Sequence, residues 1–181
     1  FRHLHPAMAV MENQNKEYDK DGLWAKSGTI NSELFELLLD DSYFSQAIPK
    51  STGREYFNLE WLKTNLIKYS SEISPEDIQA TLLRLSASTI SSAIKEHAIN
   101  YDQVLVCGGG AYNSLLMQAI QDLLPEMNVS TTADYELAPD CIEAVTFAWL
   151  AKQRLENKTA NLPSVTGATK AVLLGGVYSP Y

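Results

Sequence analysis

"QVLVCGGGAYNSLL", residues 103–116, decides the fold. An apolar run with alternating valines stops at three consecutive glycines, and a helical pattern begins at once. Strand, glycine turn and helix in that order bring backbone N–H groups and the positive end of a helix toward one point. Glycine admits positive φ, where a Cβ costs about 1–2 kcal/mol, and it lets a ligand approach the main chain closely. Two familiar patterns are excluded. A dinucleotide fingerprint, G-x-G-x-x-G, needs glycine where Asn113 stands, and no G-K-[ST] follows to make a Walker loop. On the residues alone, a plain tight turn and a nucleotide site stand level.

Working outward, the spacing predicts a strand over 103–107, a helix from Asn113 to Leu124 and a short strand over 128–132 after Pro125. Pro139 opens another helix, "PDCIEAVTFAWLAKQRLENK", because proline suits a first turn. The loop "TANLPSVTGATK" leads to an expected last strand, "AVLLGGV", 171–177. Upstream, "SPED" at 74–77 marks the clearest helix start: Ser74 caps, Pro75 takes the first position, and Asp77 completes a capping box. That helix runs to about His97. Ile78, Leu82, Leu85, Thr89 and Ala93 form one stripe, and Leu83, Ala87, Ile90 and Ile94 widen it, so it packs on more than one side. Earlier still come short helices at "AMAVMEN" and "INSELFELLLDDSYF", the latter striped by Leu34, Phe35, Leu38 and Leu39. The polar loop 48–58 separates these from a helix over 59–69 that carries Trp61, Leu62, Leu66 and Tyr69 on one face. Strands alternating with helices of ten or more residues indicate an α/β layered fold, with 1–181 as a single domain.

Composition narrows the function. The chain of 181 residues is 45% hydrophobic and 20% charged, ordinary for a globular domain; at this size about 70% of the unfolded surface is buried. A net charge of −8 argues against nucleic acid or an anionic membrane as partner. No apolar run reaches the roughly 20 residues that span a bilayer. The first residues also lack the apolar core and cleavage site of a signal peptide. With only Cys107 and Cys141, both in apolar company, a reduced, cytoplasmic setting is expected. The opening "FRHLHPAMAV" begins without methionine and makes residues 1–12 an irregular or altered terminus, as from a cut in a longer protein or a remnant of cloning.

Three places carry chemistry besides the glycines. Asp140 and Glu143 lie in a first helical turn, where acids complement the helix dipole by about 0.3–1 kcal/mol. Glu143, beside Ile142 and Val145, is expected to be partly buried, and a carboxylate so placed can bind a sugar hydroxyl or orient a reacting group. The loop "PKSTGREYF" gathers Lys50, Ser51, Thr52, Arg54 and Glu55 around one glycine; cations suit phosphate and hydroxyls suit sugar, while a solvated loop with an Arg54–Glu55 balance is the plainer account. "NLPSVTGA" is similarly polar. His3, His5 and His97 build neither a triad nor a metal set, so no metal ligands are assigned.

Together, "YFSQAIPKSTGREYFN", "DIQATLLRLSASTIS", "VLVCGGGAYNSLLM", "CIEAVTFAWLA" and "NLPSVTGA" resemble, in order and spacing, the carboxy-terminal half of anhydro-N-acetylmuramic acid kinases. The likeness runs from about Tyr18 to about Val177. It implies one lobe of the two-lobed fold shared by hexokinase, acetate kinase, actin and heat-shock ATPases: a ribonuclease H-like ATPase lobe, a mixed sheet flanked by helices. Such enzymes use ATP, Mg²⁺ and water to open the 1,6-anhydro ring of a cell-wall sugar. They phosphorylate its O6, giving N-acetylmuramic acid 6-phosphate for peptidoglycan recycling.

Carried over by residue, the resemblance puts Gly108, Gly109, Gly110 and Asn113 at the adenosine side of the nucleotide. It makes Glu143 a supporting group on the sugar side, and Lys50, Ser51, Thr52, Arg54 and Glu55 a substrate-loop motif. Two departures stand out. The family's phosphate-binding lobe is missing, and its D-T-G-P aspartate, the base that activates water, aligns with "RHLHP", where Pro6 stands and Met8 replaces an asparagine. Since phosphoryl transfer needs positioning, metal and base as one unit, the segment alone is expected to be inactive. Its partners would be the anhydro-sugar, ATP, the missing lobe and a second copy as a homodimer. The alternative is a non-catalytic nucleotide-binding or interaction module of the same fold.

Overall fold

A computed structural model describes residues 18–53, 55–98 and 100–178. The expected helix at "AMAVMEN", the irregular terminus 1–12 with its two histidines, and Arg54 lie outside them. Helices α1 (Leu23–Ser27), α2 (Ser32–Leu39), α3 (Leu59–Tyr69) and α4 (Pro75–His97) precede strand β1 (Gln103–Val106). Helix α5 (Ser114–Leu123), strand β2 (Asn128–Thr131), helix α6 (Ile142–Leu155) and the single turn α7 (Pro163–Thr166) follow.

Helix α4 organises the molecule, and its start is built as the sequence implies. Ser74 Oγ accepts from the Asp77 amide at 3.1 Å with Pro75 in the first turn. The capping box is not closed, however. The Asp77 carboxylate instead accepts from the amide of Thr29 at 2.6 Å, tying α4 to the chain that follows α1. Close by, the backbones nearly touch: a Cβ on Gly28 would overlap the Glu76 carbonyl. Asp19 is buried and satisfied from both sides, accepting from Trp24 N at 2.8 Å, Ala25 N at 3.0 Å and the Gln79 side chain at 3.3 Å.

The breadth of the α4 stripe has a direct cause, because the helix serves two cores. Ile78, Leu82 and Leu85 close a cluster with Trp24, Leu34, Leu38, Leu62 and Tyr69. One turn on, Ala87 joins Leu116, Ile120 and Leu124, with Leu83, Ile90 and Ile94 packed against them. Ala93, expected in the stripe, is exposed, because Ile90 and Ile94 take the face toward α5. Helices α2 and α3 obey the predicted pattern: Asn31 and Asn58 cap them, accepting from Leu34 N and Trp61 N at 2.9 Å each. Leu34, Leu38 and Leu62 are essentially inaccessible.

β1 and β2 pair in parallel, Gln103 with Asn128 through Val106 with Thr131, and α5 makes the crossover. The chain is therefore a mixed α/β protein with a small parallel sheet, as expected. The strand expected over 171–177 is absent. A strand needs a neighbour offering a row of N–H and C=O groups, and the nearest backbone partner found here is the amide of Ala160, donating to Val172 O at 3.3 Å. Side chains replace the ladder: Asn161 accepts from Val172 N at 2.7 Å and donates to Lys170 O at 3.0 Å. No residue of α6 is buried.

Candidate nucleotide turn and loop site

In parallel α/β units, ligands gather beyond the carboxyl ends of the strands. There β1 runs into the three glycines, and β2 into a tight turn over Thr132–Tyr135. The glycines differ from one another. Gly108 has φ +77° and ψ −176°, a conformation essentially closed to residues with a Cβ, while open space lies beside it. Its amide donates to the carbonyl of Pro139 at 2.8 Å, which brings the start of α6 to the turn. Gly109 and Gly110 begin a 3₁₀ turn, Gly109–Tyr112, and neither has positive φ. A Cβ on Gly110 would meet only Leu116 Cδ2 at an ordinary 3.7 Å. The fold thus requires glycine at 108, and nothing in the packing requires it at 110.

As first residues of a helical turn, Gly109 and Gly110 leave their N–H groups without intrahelical acceptors. Neither amide has a backbone acceptor elsewhere among the described residues. Asn113 caps α5, its Oδ1 accepting from Leu116 N at 3.0 Å. Its side-chain amide nitrogen makes no hydrogen bond among the described residues. Across the turn, the Tyr112 hydroxyl donates to Asp140 at 3.3 Å. Desolvation and then the Asp140 charge push the Tyr112 hydroxyl above its usual pKa. Asp140 therefore belongs to the site by a contact that sequence alone does not reveal. Glu143, expected to be partly buried, is exposed: α6 has nothing packed over its first turn. Cys107 and Cys141, both expected in apolar company, are free and exposed.

The second polar loop is built separately. Lys50 is half-buried; Nζ donates to the carbonyls of Tyr43 at 3.1 Å and Phe44 at 2.8 Å and lies 5.1 Å from the Tyr43 ring centre. Ser51, Thr52 and Glu55 are exposed. None of this loop's hydrogen bonds among the described residues reaches the glycine turn. It does stand beside the other polar loop: a Cβ on Gly167 would come within 3.3 Å of Pro49. Asp41, which sequence reasoning passed over, anchors this region. Only its bond from Tyr43 N, two residues on, had a local signal, the Asx turn. Among the described residues no three acidic, histidine or cysteine side chains stand together to hold a metal. Nor is any helix among them long and apolar enough to cross a membrane.

Fold and turn define an α/β protein with a glycine-rich turn on the carboxyl edge of parallel strands. A family model described as anhydro-N-acetylmuramic acid kinase matches residues 6–180. The chain belongs to that family. It is 49% identical over 170 residues to the anhydro-N-acetylmuramic acid kinase of Pasteurella multocida, covering 93% of this chain and 45% of that protein. The relative so named from Saccharophagus degradans is 43% identical over 180 residues, 97% of this chain and 48% of its own. That from Coxiella burnetii is 47% identical over 166 residues, 92% and 44% respectively. The chain spans about half the length of the curated relatives it matches.

Proposed function

We propose that this chain is the carboxy-terminal, ribonuclease H-like lobe of an ATP-dependent kinase that opens anhydro-N-acetylmuramic acid and phosphorylates its O6. The observation that carries the nucleotide half is the difference between the glycines. Gly108 turns the chain; Gly110 has room for a side chain and keeps none, as expected where a ligand lies against the backbone. The free N–H groups of Gly109 and Gly110 would face that ligand, and the Asn113 side-chain amide would donate beside them. ATP supplies the phosphoryl group with Mg²⁺, which takes much of its shell from phosphate and water; this chain adds one wall of the nucleotide site. Exposed Glu143 has the reach to orient sugar or water.

The uncovered apolar side chains of α6 support the lobe reading. Val145, Phe147, Trp149 and Leu155 are uncovered, as are Leu173, Leu174 and Val177 in the unpaired segment. A helix that is apolar on several sides normally lies against another part of the protein. The cytoplasm, where ATP is available, is the proposed location.

Equilibrium dialysis with ATP and an ADP-release assay with anhydro-N-acetylmuramic acid test the reading together. ATP binding with no turnover is expected, because the aspartate base of the family's D-T-G-P segment is not in this sequence. Loss of a general base alone costs about 10²–10⁴-fold. Full turnover by this chain, or no ATP binding, would refute it. An interaction module is favoured instead if ATP binds while joining the upstream lobe brings no activity.

A further inference from the structure

The structure assigns Gly22 as a positioning residue that holds the side-chain amide of Asn113 in the orientation that serves the nucleotide. This rests on the nucleotide reading above and deepens it by naming what orients the donor. The two residues meet because the Lys20–Gly22 turn is seated on the first turn of α5. Ser114 Oγ donates to the carbonyl of Asp21 at 3.3 Å, across 93 positions of chain. A Cβ on Gly22, which is buried, would stand 2.6 Å from Asn113 Oδ1 and 2.6 Å from Leu115 Cβ.

That oxygen is the one that caps α5, so it is held by Leu116 N and hemmed in by Gly22 at once. The amide therefore cannot turn over, because exchanging its two atoms would set Nδ2 against the Leu116 N–H, donor against donor. A cap by itself leaves such a nitrogen to be used inside the fold. Asn31 Nδ2 donates to the Tyr69 hydroxyl at 2.8 Å, and Asn58 Nδ2 donates to the carbonyl of Glu55 at 3.1 Å. Of these three asparagine caps, only Asn113 keeps Nδ2 without a partner among the described residues.

The turn that hems it in is built at a cost. Asp21 at φ 54° and ψ 14° and Gly22 at φ 72° and ψ 18° are left-handed in succession, a region that residues with a Cβ enter unfavourably. Asp19 holds them there. Its carbonyl accepts from Gly22 N at 3.3 Å. Its buried carboxylate fixes the start of α1 through Trp24 N and Ala25 N and reaches α4 through Gln79. The Asn113 donor is thus braced, through Gly22, by two other helices.

The test measures ATP binding by equilibrium dialysis for the whole chain and for Gly22→Ala, Asn113→Ser and the double variant. Serine keeps a capping oxygen and removes the amide. Each single change should raise the dissociation constant about three- to tenfold, as for one lost hydrogen bond. The double variant should bind no more weakly than the weaker single one, because both act through the same donor. Urea melts show that each variant is folded. In the native chain, ¹⁵N relaxation of the Asn113 side-chain amide should give an order parameter near that of rigid backbone, roughly 0.85, before ATP is added. This readout needs no variant and decides the matter if Gly22→Ala does not fold. Equal losses from Gly22→Ala with and without Asn113→Ser overturn the proposal while leaving the nucleotide reading in place. An order parameter below about 0.6 in the free chain does the same. A native chain that binds no ATP removes the nucleotide reading and takes this role of Gly22 with it.

Discussion

Replacing Gly108 by alanine isolates backbone conformation from packing. At φ +77° and ψ −176° an L-residue is strained by about 1–3 kcal/mol. No atom lies within 4 Å of the position its Cβ would occupy, so no clash adds to that strain. The restricted unfolded chain offsets about 0.4–1 kcal/mol. A net loss of about 1–2 kcal/mol follows, or about 2–8 °C in Tm for a chain of this size. Gly110→Ala is the matched control. Its φ is not positive and its new methyl meets Leu116 at 3.7 Å, so stability should stay within about 0.5 kcal/mol. Thermal and urea melts followed by circular dichroism read both variants, and ATP dialysis is run on each. Gly108→Ala should lower the melt, whereas Gly110→Ala should leave the melt alone and weaken ATP binding. Equal melts for the two variants would refute the assignment of the conformational demand to Gly108. Full ATP affinity in Gly110→Ala would refute the close approach of ligand to that residue.

Two further outcomes follow from packing. Gly28→Ala pushes a methyl into the Glu76 carbonyl, where neither backbone can yield cheaply; a loss of about 1–3 kcal/mol in urea is expected, and an unchanged midpoint would show that the α1–α4 contact is looser than described. The uncovered apolar side chains of α6 should drive self-association, as a homodimer or beyond, in sedimentation at rising concentration. Converting Phe147 and Trp149, which are 70% and 49% exposed, to serine should abolish it; a native chain that remains monomeric throughout would count against this.

What the sequence disclosed depended on how local each signal was. Ser74 and Pro75 announce α4 because cap and first turn lie within four residues. Asp77, in the same motif, spends its carboxylate on Thr29, 48 positions away, and no local rule anticipates that. The 171–177 run has the composition of a strand, yet pairing is a property of two segments, and the described residues hold no second one. The apolar neighbours of Glu143 suggest half-cover, but cover is supplied by other elements, and Glu143 is exposed. The turn after β1 shows in the sequence as three equal glycines; only the dihedral angles separate the one that bends the chain from the one that leaves room. Asp41 stayed hidden because Tyr56 and Trp61 meet it from 15 and 20 residues away.

The sharing of α4 between two clusters has a consequence for cutting the molecule. Since Leu82, Leu85 and Ala87 seal both cores from one continuous helix, a nick anywhere between α1 and β2 leaves fragments with a raw apolar face. Past Glu136, where the backbone turns left-handed at φ +60°, the chain up to Tyr178 contributes no side chain to either cluster. Lys152, Lys158 and Lys170 lie there, all exposed and within reach of trypsin. The molecule has a seam beyond Asp140, the last residue hydrogen-bonded to the glycine turn, and trimming or gene fusion will find it first.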